Sequence, residues 1–130
     1  MPAMLMSEDR DPALVIKEKI GDLGSFTLYG NHVLIGVYER SSKTKSGIYL
    51  ADQTRDEDRH QGKAGLVLLK GPTAFVSDNN YDFRGQTVDI GDWVAIFVSD
   101  GRSIRVNGVL CRIVEDQYIR LKMPAPDVVF

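Results

Sequence analysis

The chain has 130 residues, 43% of them hydrophobic and 26% charged, with a net charge of −2 and a pI of about 5.6. That length fits one domain, and the charge balance lacks the basic face that nucleic acid calls for. No apolar run approaches the ~20 residues of a membrane span, and the lone Cys111 cannot form an internal disulfide, which fits a reducing compartment.

Residues 1–10 read as an arm that turns acidic at once and lacks the order of a secretory signal, with Met4, Leu5 and Met6 as a small apolar cluster. Asp11 to Gly21 predicts a short helix. Asp11 is its N-cap, Pro12 its first residue and Gly21 its stop, with Ala13, Ile16 and Ile20 at helical spacing and Leu14 beside them. So short a helix is marginal alone and must dock on the domain or on a partner. Phe26 to Arg40 reads as the first main strand, with Gly30-Asn31 as turn chemistry and His32 at the strand's start. Val33, Ile35 and Val37 alternate with Leu34, Gly36 and Tyr38, so both faces are apolar.

From Ser41 to Lys63 the chain is polar and charged except for Gly47-Ile48-Tyr49-Leu50. Loops beyond ~12–15 residues are uncommon within compact domains and are usually functional or disordered. An apolar island inside one has nothing local to pack against. Ile48, Tyr49 and Leu50 are therefore expected to pack on another molecule, the competing reading being a short edge strand of the same barrel.

Gly65 to Lys70 predicts a second strand, ended by Gly71-Pro72. Ala74–Val76 and Tyr81–Phe83 flank a turn at Ser77–Asn80 and predict a small hairpin. Its aromatic residues Phe75, Tyr81 and Phe83 suit either packing on the barrel or subunit contact. Val88 and Ile90 lead into a Gly91-Asp92 corner, and Trp93 to Val98 reads as a strand. Asp100-Gly101 is read as the hairpin turn to Ser103–Val106, and Asn107-Gly108 as the turn to Val109–Val114. Glu115-Asp116 turns into a last strand over Gln117–Lys122, and the tail MPAPDVVF ends in the apolar Val128 and Phe130. Short strands at this spacing predict an all-β fold, a small barrel or sandwich.

Catalytic chemistry is sparse. Cys111 alternates with Val109 and Ile113 as a core residue without a nearby base. His32, His60 and Cys111 are too few and too scattered for zinc. Asp52, Asp56, Glu57 and Asp58 interleave with Arg55 and Arg59 and lack a calcium-loop pattern, which makes them a solvated charge run. No nucleotide-binding signature is present. No enzyme, metal or cofactor is expected.

From about Leu28 to Met123 the chain resembles the GroES co-chaperonin family, landmark by landmark. NHVLIGVYER over 31–40 looks like the family's first strand, and Thr44–Leu50 like its mobile loop with the lysine-serine-glycine approach and apolar tripeptide. Gln61–Val67 resembles the return into the barrel, Thr73–Gln86 falls in the place of the roof hairpin, Val88–Val94 is similar to the valine…glycine-aspartate…valine corner, and Asn107–Ile119 lies where the closing strands lie. Tyr49 departs from the aliphatic residue usual there, and the second half of the loop is more charged than the family's.

Three parts are expected: an N-terminal arm and helix over 1–27 and an extended tail over 124–130, both foreign to ordinary co-chaperonins, and between them the GroES-like β-barrel over 28–123 that the resemblance implies. The resemblance also implies a cytoplasmic homo-oligomeric ring, heptameric in the family, that caps the chamber of a large GroEL-type chaperonin. Gly47, Ile48, Tyr49 and Leu50 would be its docking residues. Leu14, Ile16, Ile20, Phe75, Tyr81, Phe83, Val128 and Phe130 are the expected assembly contacts. The N-terminal extension and the tail also look like those of GroES-like proteins encoded among tailed-phage structural genes. On that alternative the barrel is a virion component, a capsid decoration or cement subunit on the major capsid protein. The barrel is also related to that of zinc alcohol dehydrogenases, whose cysteines and nucleotide domain are absent here.

Overall fold

A computed structural model describes residues 11–39, 64–79, 81–97 and 99–126. Strand β1 (His32–Val37) is buried from Val33 to Val37, as its two apolar faces demand, and it becomes a central strand. It pairs antiparallel with β2 (Ala64–Lys70) on one side and with β5 (Val109–Glu115) on the other. With β3 (Trp93–Ala95), β4 (Arg102–Val106) and β6 (Lys122–Met123) they form one six-stranded antiparallel sheet in the order β4-β5-β1-β2-β3-β6. The fold is mostly β, one antiparallel sheet with a single short α-helix among the described residues.

The alternation along β1 divides the core in two. On one face Leu34, Leu66, Leu68, Trp93 and Cys111 pack with helix α1 (Pro12–Ile20) through Ile16 and Ile20. On the other, Val33, Ile35, Val67, Val94 and Val114 pack with Val88, and Ala74 and Phe75 close over them. Gly36 makes the helix docking possible. A Cβ at that position would stand 3.0 Å from both Ile16 Cγ2 and Leu68 Cδ1, tighter than ordinary van der Waals contact.

Helix α1 has the predicted caps. Asp11 Oδ1 accepts the Ala13 N–H at 3.1 Å, Pro12 occupies the first turn and Gly21 ends the helix at φ +71°. A distant residue completes the C-terminal end, because Asn107 Nδ2 donates to the Ile20 carbonyl at 2.6 Å. Asn107 and Gly108 both have positive φ, as a two-residue type I′ turn requires, and join β4 to β5. One side chain thus ties the sheet's far turn to the helix.

Three sequence expectations change. The first strand begins at His32 rather than Phe26, because Gly30 turns at φ +67° and lends its carbonyl to Thr73 N–H. Asp100-Gly101 is a turn but not a hairpin. Strand β3 already has β2 and β6 as neighbours, so the chain crosses to the opposite edge and β4 pairs with β5 alone. The last strand shrinks to Lys122–Met123, since Asp116–Tyr118 coils into a 3-10 turn. Val98 lies outside the described residues.

Ile20 is 2% exposed and Leu14 51%, so the two sides of α1 differ in energetic weight. Ile20→Ala is expected to lower unfolding free energy by about 2–4 kcal/mol, and Leu14→Ala to change it by less than about 0.5 kcal/mol. Denaturant unfolding followed by circular dichroism, at fixed protein concentration, measures both.

Candidate functional site

The β1–β2 hairpin has two ends, and each carries a segment singled out in the sequence. At one end the ladder finishes with Val37 opposite Gly65, and Tyr38 N–H donates to the Ala64 carbonyl at 2.9 Å. The connection 40–63 leaves and returns there. Its root is stiff, because Tyr38 stacks edge-to-face on Trp93, with ring centroids 5.8 Å apart at 81°, and both rings are buried. Gly47, Ile48, Tyr49 and Leu50 lie outside the described residues, as do Val128 and Phe130.

At the other end, Gly71 turns the chain into the 73–86 segment. Its N–H donates to the His32 carbonyl at 2.8 Å, and a Cβ there would fall 2.2 Å from the Gly30 carbonyl oxygen. Only glycine fits so close a backbone. The segment is a set of turns rather than the expected ladder. Phe75 at φ +62° and Arg84 at φ +54° break the extended run on both sides. Side chains take over the bonding: Asp78 Oδ1 accepts Tyr81 N–H at 2.9 Å, and Asp82 Oδ1 accepts Arg84 N–H at 2.8 Å. Ser77 Oγ accepts Phe83 N–H at 3.0 Å.

Phe75, Tyr81 and Phe83 come together. Phe83 lies edge-on to Phe75 with centroids 5.5 Å apart, and 4.6 Å from Tyr81. Phe75 points into the core and Tyr81 outward, at 46% exposure. The cluster is held by Asp116, which is 4% exposed. Its Oδ2 accepts Phe75 N–H at 2.9 Å and its Oδ1 accepts Asn31 Nδ2 at 3.2 Å. The first bond stabilises the left-handed backbone at Phe75. Sequence reasoning treated Asp116 as a mere turn residue.

Of the helix residues expected to meet a neighbour, Leu14 is exposed, whereas Ile16 and Ile20 are buried in the chain's own core. Helical periodicity places them on one face but does not say whose surface covers it. A surface the sequence did not single out surrounds Arg120, whose guanidinium lies 5.9 Å from the Phe97 ring and 5.7 Å from the Tyr118 ring. Leu121 beside it is 50% exposed.

The buried Arg112 holds the sheet's crossing. The Arg112 guanidinium donates from Nη1 to the Phe97 and Asp100 carbonyls at 2.6 and 2.9 Å. Burial pulls its pKa below the usual range, and the Asp100 carboxylate opposes that shift. Burial pushes the Cys111 thiol up to about 11, so it remains protonated near neutrality and is a poor nucleophile. Among the described residues no group of three or more histidine, cysteine or acidic side chains could hold a metal ion, and no helix is long and apolar enough to cross a membrane. The arrangement offers surfaces and a stiff loop root for binding.

The chain matches the family model described as the chaperonin 10 Kd subunit over residues 25–123. No curated protein matches it.

Removing the Asp116 carboxylate leaves two part-buried donors unsatisfied, so Asp116→Ala is expected to cost about 1–3 kcal/mol. It should also speed hydrogen exchange at the Phe75 amide; unchanged exchange there would remove Asp116 from its holding role. Cys111 sets an alkaline limit. Below pH 9.0 both folded and unfolded states hold the thiol proton; between 9.0 and about 11 only the unfolded state ionises, so stability falls as pH rises. The thiol's share is at most about 1.4 kcal/mol per pH unit across that window. Cys111→Ala, unfolded in parallel with the parent at pH 8 to 11, should lose that share of the decline.

Proposed function

The chain belongs to the chaperonin 10 Kd subunit family, and from that membership we propose that it is a non-enzymatic co-chaperonin subunit whose 40–63 connection docks on a large GroEL-type chaperonin and caps its folding chamber. The observation that carries the proposal is the matched stretch itself. Its range spans β1, the connection and β2, which supports reading the connection as the family's docking loop.

Gly47, Ile48, Tyr49 and Leu50 are the docking residues on this reading, with Ile48 and Leu50 filling an apolar groove. The stiff root at Tyr38, Ala64 and Trp93 supports it, because it fixes where each connection leaves its subunit. One tripeptide buries little apolar surface and binds weakly. A ring presents several at once, and multivalency converts weak contacts into firm but releasable capping. A heptamer is the ring the family suggests. The exposed Phe97, Tyr118 and Leu121 beside edge strand β6 offer a neighbouring copy an apolar surface, and Tyr81 and Leu14 offer further contacts.

One observation favours a second reading, a virion subunit on the same barrel. Helix α1 is built into the core yet precedes the matched residues, so this chain carries an integral element beyond the family pattern. Under that reading the N-terminal arm, α1 and the tail carry the contacts to a capsid protein.

Gel filtration of the full chain with a GroEL-type chaperonin, with and without ADP, separates the two. Nucleotide-dependent co-elution is expected, and Ile48→Ser with Leu50→Ser should weaken it at least tenfold, about 1.4 kcal/mol over the whole ring. Absence of co-elution from folded protein favours the virion subunit. Co-elution that survives both substitutions overturns the docking residues alone.

A further inference from the structure

Three residues that carry a charge at neutral pH are buried among the described ones: Asp100, Arg112 and Asp116. The first two lie within each other's field, and Asp100 supports the charged form of Arg112. Asp116 is different. Its two oxygens meet only neutral donors, the Phe75 amide and the Asn31 carboxamide, and no cation stands within ion-pair distance among the described residues. Buried charges in proteins are ordinarily paired, because an uncompensated one costs several kcal/mol.

This carboxylate forms part of a recess of about 390 Å³ between the 73–86 segment and the barrel. The Tyr81 and Phe83 rings, tilted at 52° with centroids 4.6 Å apart, form one wall. Val76 adds an apolar surface and Asp78 lies at the edge, and no basic side chain among the described residues lines the recess. The Asp116 carboxylate, met only by neutral donors, disfavours an anion. Ring faces attract cations through their quadrupole, and apolar walls suit the methylenes of a long stem rather than a bare metal ion.

We propose that the recess walled by Asp116, Asp78, Tyr81 and Phe83 binds a primary alkylammonium, the head group of a lysine side chain presented by another polypeptide. The ammonium approaches the Asp116 carboxylate, and the stem lies along Val76 and the rings. The proposal is independent of the docking role of the 40–63 connection, since the recess lies at the other end of the β1–β2 hairpin.

The test is saturation-transfer NMR on the intact protein with three probes: Nα-acetyl-lysine methylamide, n-butylammonium, and Nα-acetyl-norleucine methylamide, which lacks the charge. The lysine probe should bind with a Kd on the order of millimolar, about −4 kcal/mol, and the norleucine probe at least about tenfold more weakly, a 1.4 kcal/mol difference. Tyr81→Leu, at an exposed position, should weaken the lysine probe about two- to fivefold, the range of an exposed cation–π contact. Asp116→Asn, checked for native circular dichroism, should weaken it further. Butylammonium binding as tightly as the lysine probe sustains the ammonium site and makes a free amine its ligand. Equal binding of the norleucine probe, or no saturation transfer to either amine, overturns the proposal. So does lysine-probe binding that is indifferent to Tyr81→Leu.

Discussion

The constraint on which the structure rests is that β1 must bury both of its faces. Val33 and Ile35 require a cover on one side and Leu34 on the other, and a single small sheet provides neither unaided. Helix α1 supplies one cover and the Ala74-Phe75 base of the 73–86 segment the other. Each docks through a device specific to its face, the slot at Gly36 on one side and the Asp116 carboxylate on the other. Helix α1 is therefore a layer of the core. Its removal would bare the apolar face that Cys111 shares with Trp93 and Leu68.

The polar interior follows from the chain path. A sheet with β4 and β6 at its edges needs one crossing from β3 to the far side, and crossings leave backbone carbonyls without ladder partners. Arg112 satisfies two of them with one guanidinium, which explains a charged residue inside the apolar strand VLCRIV. Asp116 does the converse work on amides at the opposite end. The exposed aromatic surfaces lie beyond these pinned turns, so the places offered to partners are set by buried polar groups rather than by loop composition.

Local chemistry was legible in the sequence wherever a residue's role is decided by its neighbours in the chain. The caps of α1 at Asp11, Pro12 and Gly21, the two-faced β1, the Gly71-Pro72 break and the Asn107-Gly108 turn all depend on near neighbours. What failed to read depends on partners far away. Nothing around Asp100-Gly101 says that β3 is already flanked on both sides, so the turn looked like a hairpin. Ile16 and Ile20 share a helical face, but the glycine that receives them is at position 36. Phe75 looked extended because the carboxylate that holds it in the left-handed region is Asp116. The landmarks of the family, by contrast, survive as short words in fixed order, and they carried the fold where periodicity alone left barrel and sandwich open.

The chain contains a single tryptophan, and Trp93 stands edge-on to Tyr38 at the root of the 40–63 connection. At 7% exposure its indole emits from an apolar surrounding, and the tyrosine beside it is close enough to pass excitation to it. The protein thus carries an intrinsic optical reporter of one location, blind to the 73–86 segment and to the sheet's far edge. Its emission reads out whether an event in the 40–63 connection is transmitted to the barrel.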